Sequence, residues 1–161
     1  MAHKSANISV LRFDDRHIVR LRARTGDKGH ELVSYDLDEA RDTSKSLEER
    51  LKAFAARHQI SEDRLVTVLP RHEITARFLD LPSHDAAELR DMVHLSAEEY
   101  VPYPVEELII DICVLDRQPN GNSRVLAAFA HKDVVEKHLK TLEAAGLEPD
   151  SIYLSTPCLA V

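Results

Sequence analysis

Apolar and polar residues alternate along the start of the chain, which is the spacing of β-strands. Residues 8–13 form a short apolar-rich run, and residues 17–24 alternate strictly, with apolar side chains on one face and arginines on the other. Residues 30–37 repeat the pattern after a glycine-containing turn at residues 26–29. We therefore predict a three-stranded meander whose second strand carries a solvated arginine face, the alternative being an anion-binding face.

A helical spacing follows the meander. Ser46 and Glu49 have the spacing of a capping box, and the apolar residues after them recur at intervals of three and four positions. Residues 65–69 are then apolar with no alternation, and the run closes at Pro70. Such a run suits a strand buried on both faces in the middle of a sheet. The first part of the chain thus predicts the order βββαβ.

The stretch from residue 73 to residue 111 has the most specific pattern. Residues 73–81 predict a strand, and a helix begins near Asp85, whose spacing to Glu88 again suits a capping box. Two prolines after this helix lack amide hydrogens and favour extended backbone before them, so the helix must end at about residue 100. The apolar stripe of the helix consists of Ala86, Leu89, Met92, Val93, Ala97 and Tyr100.

A hairpin and a further helix are predicted next. Residues 107–116 and 123–130 read as two strands around a loop that contains an Asn-Gly turn signal. Residues 133–145 have helical periodicity. The residues of this helix expected to face inward are Val135, Leu139 and Leu142.

The last residues predict a helix end, a strand and a new helix start. Gly146 is expected to end the preceding helix in the left-handed conformation, with Leu147 folded back as its apolar contact. Residues 151–154 predict a short strand. Residues 155–157, Ser-Thr-Pro, are typical of a helix start, so we expect the chain to be part of a longer protein.

Composition narrows the class of protein. The net charge of −7 on 161 residues argues against nucleic acid as a partner, since phosphates favour a basic face. No run approaches the roughly 18–20 apolar residues of a membrane span, and the start lacks a signal-peptide core. Cys113 and Cys158 lie in apolar contexts and predict buried free thiols of a reducing compartment. We therefore expect a cytoplasmic protein without direct membrane insertion.

The polar residues give no pattern of an active site. None of the nine histidines pairs locally with another histidine or a cysteine as metal ligands do, so surface or boundary positions are expected for them. A nucleophile pair such as Cys113 with His94 has no local signature, and all four glycines suit turns or a helix end. The sequence predicts no catalytic residue, no metal ligand and no cofactor. A solvated or partner-facing acidic rim is expected at Glu98, Glu99, Glu106 and Glu107.

Several segments together indicate a family. A strand closed by Pro70 is followed by Leu-Asp-Leu-Pro at residues 79–82, the acidic helix, the prolines within residues 102–104, and an Ala-Gly-Leu helix end at residues 145–147. Between about residue 65 and residue 159, these segments resemble the pilus-assembly protein PilM. Relatives of that family include the cell-division protein FtsA and the cytoplasmic part of the type II secretion L protein. Residues 1–60 match the family in element order alone.

The resemblance implies a mixed α/β (α+β) fold, namely a subdomain of the actin-like, ribonuclease H-like ATPase fold with an inserted strand–helix–strand–strand module. Residues 1–72 and 147–161 would form the incomplete sheet subdomain, and residues 73–146 the module with the helix after it. Family members dock at the inner membrane by holding the cytoplasmic tail of a membrane-anchored pilus or secretion partner in a groove between module and sheet. The resemblance also allows a homo-oligomer.

We expect the proline corner, defined as residues 100–104, to bind this tail. A corner stiffened by prolines has little conformational entropy to lose, and tyrosine offers amphipathic contact area. The alternative is that Tyr100 and Tyr103 close the core of the module itself. The expected partner-binding residues are Tyr100, Val101, Pro102, Tyr103 and Pro104.

The turn between the first two strands departs from the family pattern. The family carries a glycine-serine type phosphate-binding turn there, whereas residues 11–16 contain no glycine and include Asp14 and Asp15. Two carboxylates repel phosphate unless a cation lies between them. In the family, ATP also contacts a second half that lies outside this sequence. We therefore expect a non-catalytic scaffold; the alternative is a full-length protein that binds or hydrolyses ATP.

Overall fold

The chain forms two compact units in a computed structural model, which describes residues 7–26, 29–40 and 45–154. The chain divides after residues 70 and 136, so that residues 71–136 form the second unit and the remainder the first. The sequence predicted these divisions after residues 72 and 146. The second division lies earlier because Leu142, Ala145 and Leu147 pack in the core of the first unit.

The described elements follow the predicted order, with short 3₁₀ turns at Ile60–Glu62, Arg71–Glu73 and Val105–Glu107. The strands are β1 (Asn7–Phe13), β2 (His17–Gly26), β3 (Gly29–Glu39), β4 (Arg64–Leu69), β5 (Ile74–Leu81), β6 (Leu108–Arg117), β7 (Ser123–His131) and β8 (Ser151–Leu154). The helices are α1 (Leu47–His58), α2 (Ala86–Leu95), α3 (Ala97–Tyr100) and α4 (Lys132–Ala144). The middle of the predicted turn, residues 27–28, and the predicted helix start at residues 155–157 lie outside the described residues.

The first unit is built on a five-stranded sheet with the order β3-β2-β1-β4-β8. The strands β1, β2 and β3 form the predicted antiparallel meander, while β4 pairs in parallel with both β1 and β8. The strand β4 therefore lies inside the sheet, as its uninterrupted apolar sequence predicted. The antiparallel register places Leu11 opposite Arg20 and Phe13 opposite Ile18.

One face of this sheet packs against α1 and the second half of α4. Side chains of alternate residues on β1, β2 and β4 meet the apolar stripes of the two helices, as expected from the periods of strands and helices. The buried cluster consists of Leu11, Phe13, Ile18, Leu51, Phe54, Ala55, Ile60, Leu65, Leu142, Ala145 and Leu147.

The second unit is an antiparallel sheet of the order β5-β7-β6, covered on one face by α2 and α3. Its core contains Val93 and Ala97 from the predicted helical stripe, and Ala127 and Phe129 from the central strand. Alternate residues of β5 point to the two faces of the sheet, so Leu79 packs on this core whereas Phe78 is 60% exposed.

Helix ends follow the predicted chemistry with one difference. The Ser46 and Glu49 side chains cap α1 reciprocally, as predicted. At α2, Asp85 accepts hydrogen bonds from the N–H groups of residues 87 and 88, but the Glu88 carboxylate does not return to the Asp85 N–H. Ser83 lies between them: its hydroxyl accepts from the Asp85 N–H and donates to Glu88.

The predicted solvated arginine face of β2 is wrong for Arg20 and Arg22, which pair with Asp63, whereas Arg24 is exposed. Arg20 is 3% exposed, and it lies on the sheet face that packs against the helices, whereas Leu21 on the other face is 40% exposed. Strict alternation identifies two faces of a strand but does not identify which of them is inward. Here a carboxylate, Asp63, accepts hydrogen bonds from the buried guanidinium group and makes its burial possible.

Two residue-level predictions for α4 and β6 are also wrong. Leu139 is 37% exposed, and its neighbour His138, expected at a surface or boundary, is buried instead. The His138 ring stacks on Phe13 with centroids 4.4 Å apart, and its Nε2 atom lies 2.7 Å from the Thr67 hydroxyl. Cys113 is exposed, because odd-numbered residues of β6 point away from α2, whereas Cys158 lies outside the described residues.

Candidate partner-binding site

The proline corner begins where helical hydrogen bonding ends in the second unit. The N–H of Val101 donates to the Ala97 carbonyl at 3.2 Å, and this bond closes α3. Pro102 and Pro104 have no N–H to continue a helix, and the next backbone bond of the segment runs from the Glu107 N–H to the Pro104 carbonyl at 2.9 Å. The corner is therefore an extended segment held between two short helical turns.

The inner side of the corner belongs to the core of the unit. Val101 is 5% exposed and packs in the buried cluster with Phe129 and Ala127. The Tyr100 ring packs against the same cluster, with its centroid 5.7 Å from that of Phe129. These contacts fix the start of the corner to the sheet, since large apolar side chains there are shielded from water.

The outer side of the corner is open to solvent. Pro102, Tyr103 and Pro104 are exposed, and Tyr103 retains 46% of its accessible surface. The edge of one ring meets the face of the other where Tyr103 packs on His131, with centroids 5.0 Å apart. Tyr103 therefore presents a large aromatic surface whose orientation is supported from one side.

The His131 ring that supports Tyr103 is itself held by polar groups of neighbouring elements. The backbone N–H of Asp133 donates to His131 Nδ1 at 3.2 Å, so the ring proton of the neutral histidine lies on Nε2. That nitrogen donates to Glu107 Oε2 at 3.3 Å. Lys132 Nζ donates to the Glu106 carbonyl, which ties the 3₁₀ turn after the corner to the start of α4.

The structure divides the five predicted partner-binding residues into two groups. Tyr100 and Val101 contribute to the core of the unit, while Pro102, Tyr103 and Pro104 face outward. The carboxylates of the expected acidic rim, Glu98, Glu99, Glu106 and Glu107, are exposed. The corner can therefore offer an aromatic contact with nearby negative charge, which suits an extended peptide with apolar and basic residues.

The turn between β1 and β2, in the first unit, is occupied by its own side chains. Asp14 Oδ1 accepts hydrogen bonds from the backbone N–H groups of Arg16 and His17, at 2.9 and 2.8 Å. Partial burial raises the pKa of Asp14, but these two bonds and the nearby charges outweigh it, so the pKa is lowered. The carbonyl oxygens of Asp15 and Arg16 accept from the Arg50 guanidinium of α1. Both kinds of backbone group in this turn thus have partners.

A buried ion-pair cluster in the first unit was missed by sequence reasoning. Asp63, whose side chain is fully buried, accepts hydrogen bonds from Arg20 at 2.8 Å, from Arg22 at 2.9 Å and from the Ser9 hydroxyl at 2.6 Å. Desolvation raises the pKa of Asp63, but the hydrogen bonds from Arg22, Ser9 and Arg20 outweigh this effect, so the pKa lies below its usual value. Ile18 lies on the same face of β2 as Arg20 and Arg22. An apolar residue on that face is the sequence signal that could have indicated that the face is buried.

The described part of the chain contains neither a group of metal-ligating side chains nor a helix that could span a membrane. Among these residues, no three His, Cys, Asp or Glu side chains come together as a metal site. In the same residues, every helix is too short or too polar to cross a bilayer.

Comparison with solved structures gives the fold. The PilM–PilN type IV pilus biogenesis complex contains a chain similar to this one, with a TM-score of 0.75 and 20% identity over 91% of this chain and 46% of the other. The cytoplasmic domain of EpsL, an inner-membrane component of the Vibrio cholerae type II secretion system, has a TM-score of 0.63 and 14% identity over 92% of this chain and 57% of the other.

A third solved structure has a similar fold. A Bacteroides thetaiotaomicron protein of unknown function with an actin-like ATPase fold has a TM-score of 0.52 and 14% identity, over 99% of this chain and 58% of the other. The present chain thus spans about half the length of these proteins. No curated protein sequence matches it.

These structures define the fold class: this chain has the architecture of part of the actin-like ATPase fold. The sequence match is more specific, since the family model described as "Type IV pilus assembly protein PilM" matches residues 30–154. The chain therefore belongs to the PilM family. The match begins well before residue 65, where the resemblance in the sequence started, and so it includes β3 and α1.

Proposed function

We propose that the full-length protein is a non-catalytic scaffold of a type IV pilus or type II secretion assembly platform. It holds the cytoplasmic tail of an inner-membrane partner and so lies in the cytoplasm at the inner membrane. The observation that carries this proposal is the outward-facing Tyr103 on a proline-stiffened corner. Membership of the PilM family and the likeness to a PilM–PilN complex give the proposal its partner class.

The geometry of the corner favours binding of a short extended segment. Pro102 and Pro104 restrict the backbone before binding, and His131 restricts the Tyr103 ring, so little freedom remains to be lost on association. Tyrosine is among the residues that dominate binding energies, because its ring excludes water while its hydroxyl group can form hydrogen bonds. The exposed glutamates that flank the corner along the chain favour a tail that carries basic residues.

An ATP-binding or ATP-hydrolysing full-length protein is the second candidate, and the actin-like ATPase fold supports it. The turn between β1 and β2 supports the scaffold instead. Its N–H groups at Arg16 and His17 already bind the Asp14 carboxylate, and free backbone donors are what a phosphate-binding turn needs. A nucleotide would have to displace that carboxylate and be accompanied by a cation.

Titration of a tail peptide tests the scaffold proposal directly. Peptides with the cytoplasmic tail sequences of the inner-membrane assembly proteins of the same organism would be titrated into the full-length protein and followed by calorimetry. We expect one tail to bind saturably, while a scrambled peptide of the same composition does not. The absence of saturable binding by any tail would contradict the proposal.

Titration of ATP separates the two candidates. Full-length protein would be mixed with ATP and Mg²⁺, and binding and phosphate release would be measured with and without the bound tail peptide. The scaffold proposal predicts neither saturable binding nor turnover. Saturable binding with turnover would establish the ATPase candidate and exclude a purely structural role.

A further inference from the structure

The strand β3 is an edge of the five-stranded sheet, and no described strand pairs with its free side. A bulge leaves Val33 without a partner in the register with β2, and beyond it β3 pairs regularly from Ser34 to Glu39. An edge strand presents backbone N–H and C=O groups that can form hydrogen bonds with a further strand. The second half of β3 is therefore a regular edge to which another strand can add.

The hydrogen bonds of the sheet show which backbone groups of β3 face the free side. The Ala40 N–H donates to the Arg16 carbonyl at 2.7 Å, directly beyond the pair of His17 with Glu39. Successive residues of an antiparallel strand direct these groups alternately toward the partner strand and away from it. The residues that direct their N–H and C=O groups away from β2 are therefore Tyr35, Leu37 and Glu39.

A groove lies between this edge and α1, within the first unit. Its volume is about 610 Å³, in the range of roughly 300–1,000 Å³ that is typical of ligand sites. Residues 37–40 form one wall, and the other wall is one stripe of α1, in which Ala53 and Phe54 contribute apolar surface. A strand added to β3 would direct every second side chain toward α1 and so into this groove.

The groove contains positive charge that the described residues do not neutralise. Arg50, whose side chain is 8% exposed, donates to Asp38 and to two backbone carbonyls through four of its five N–H groups. The fifth, on Nη1, has no acceptor among the described residues. Lys45 and Arg57 are exposed in the lining and form no ion pair with another described residue. The lining carboxylates are Asp38, which pairs with Arg50, and Glu39, so the excess favours acidic side chains in a ligand.

We propose that β3 and α1 together bind an extended segment of a partner protein by strand addition. The added strand bonds to the free N–H and C=O groups of β3, and its acidic side chains, at alternate positions, meet Arg57 and Lys45 in the groove. A second copy of this chain fits less well, because two paired β3 strands would bring like charges together: Glu31, Asp36, Asp38 and Glu39 on each. The site lies in the first unit and is independent of tail binding at the proline corner.

Substitutions in the full-length protein separate strand addition from side-chain contact. Leu37→Pro removes an N–H on the free side and none of the bonds to β2, and proline is tolerated at such edge positions. Leu37→Thr, the matched control, loses the same apolar side chain but keeps this N–H. Arg57→Glu reverses a groove charge without changing the sheet. Tyr35→Pro is a second edge variant, and urea unfolding of each variant shows whether the sheet is retained.

The probe is a library of short random peptides displayed on phage and selected on the full-length protein. Selected peptides would be synthesised and titrated into the parent and each variant. We expect them to share acidic residues at alternate positions, and to bind Leu37→Pro and Arg57→Glu at least about tenfold more weakly than the parent. Leu37→Thr and Tyr103→Ala should change the affinity by less than about threefold.

Selection of no binding peptide, or of peptides whose affinity both proline variants leave unchanged, would overturn the proposal. An equal loss in Leu37→Thr would do the same, since the edge backbone would then not be the contact. Loss with Tyr103→Ala alone would place the peptides at the proline corner, which contradicts this proposal and leaves the proposed function standing. Self-association of the parent that Leu37→Pro abolishes would identify a second copy as the occupant and exclude the partner segment.

Discussion

Asp63 joins two neighbouring arginines of one strand inside the first unit. Both Arg20 and Arg22 donate to its carboxylate, and Arg20 also reaches Asp36 at 3.1 Å. A buried ion pair contributes little net stability relative to an apolar replacement, but removal of one partner leaves uncompensated charge in a low-dielectric site. The cluster is therefore sensitive to the loss of its single central carboxylate.

Replacement of Asp63 should be strongly destabilising for this reason. Asp63→Ala is expected to lower the free energy of unfolding by about 3–5 kcal/mol, measured by urea unfolding. Asp111→Ala, which removes an exposed carboxylate on β6, is the control and should change it by no more than about 0.5 kcal/mol. Equal small effects of the two variants would show that the arginines are solvated instead.

His138 predicts a pH dependence of stability. Burial lowers the pKa of His138 to about 4, below the ordinary value of 6.5. Between these values the unfolded chain binds a proton that the folded chain does not, so stability falls as pH falls from about 6.5 to about 4. Asp63, whose pKa is lowered, affects stability at still lower pH. The protein loses the stability that this carboxylate contributes only as the carboxylate becomes protonated.

The expected loss from His138 is about 2–3 kcal/mol across this window. Comparison of urea midpoints at pH 7, 5.5 and 4.5 would measure it, with His138→Gln as the variant. Glutamine can keep a hydrogen bond to Thr67 but does not titrate, so the difference between the two proteins should shrink or reverse toward pH 4.5. A constant difference across this pH range would contradict the assignment of a buried neutral ring.

At the scale of elements, the end of α4 is fixed by a left-handed residue. Gly146 has φ of 76°, and the N–H groups of Gly146 and Leu147 donate to the carbonyls of Glu143 and Leu142 at 2.8 and 2.9 Å. Leu147 is thereby folded back into the core, as expected for this type of helix end. The backbone conformation, rather than space around the Cα atom, selects glycine here, because no atom lies within 4 Å of an added Cβ.

Substitution of this glycine should cost about 1 kcal/mol or slightly more. Gly146→Ala forces an L-residue into the left-handed region, whereas Gly26→Ala, at a strand end without positive φ, is the matched control. Thermal unfolding of both variants would be compared with the parent. A smaller loss for Gly146→Ala than for Gly26→Ala would show that the helix ends differently.

Local chemistry made these elements predictable from the sequence. Ser46 with Glu49, the prolines of the corner and Gly146 each act on the few residues beside them, so their effects can be read without knowing the fold. The choice of buried face is different, because it depends on distant partners. Arg20 is buried because Asp63 lies across the sheet, and His138 because Phe13 and Thr67 surround it.

At the scale of the whole molecule, the two units could be anticipated but their division could not. An inserted module beginning at residue 73 follows from the sequence pattern and the family resemblance, and the structure begins the second unit at residue 71. The division after residue 136 depends on α4, whose first residues pack with the inserted module and whose later residues join the core of the sheet unit. A continuous helical periodicity contains no signal of such a transfer.

The sequence predicted where the proline corner lies but only some of its contacts, and its binding of a partner stays a prediction. The prolines in the sequence predict the position of the corner. They do not predict that Tyr100 packs against Phe129 while the exposed Tyr103 packs against His131. The residues of these two pairs are 29 and 28 positions apart in the sequence, and no local rule encodes such contacts.

The most direct test of the central claim is the affinity of the full-length protein for its tail peptide when Tyr103 is replaced. Tyr103→Ala should weaken binding at least about tenfold, because an aromatic anchor is removed, while unfolding stability changes by less than about 1 kcal/mol since the ring is half exposed. Leu95→Ala, an exposed apolar truncation in the same unit, should leave affinity unchanged. Unchanged affinity of Tyr103→Ala would contradict a partner-binding role of the proline corner.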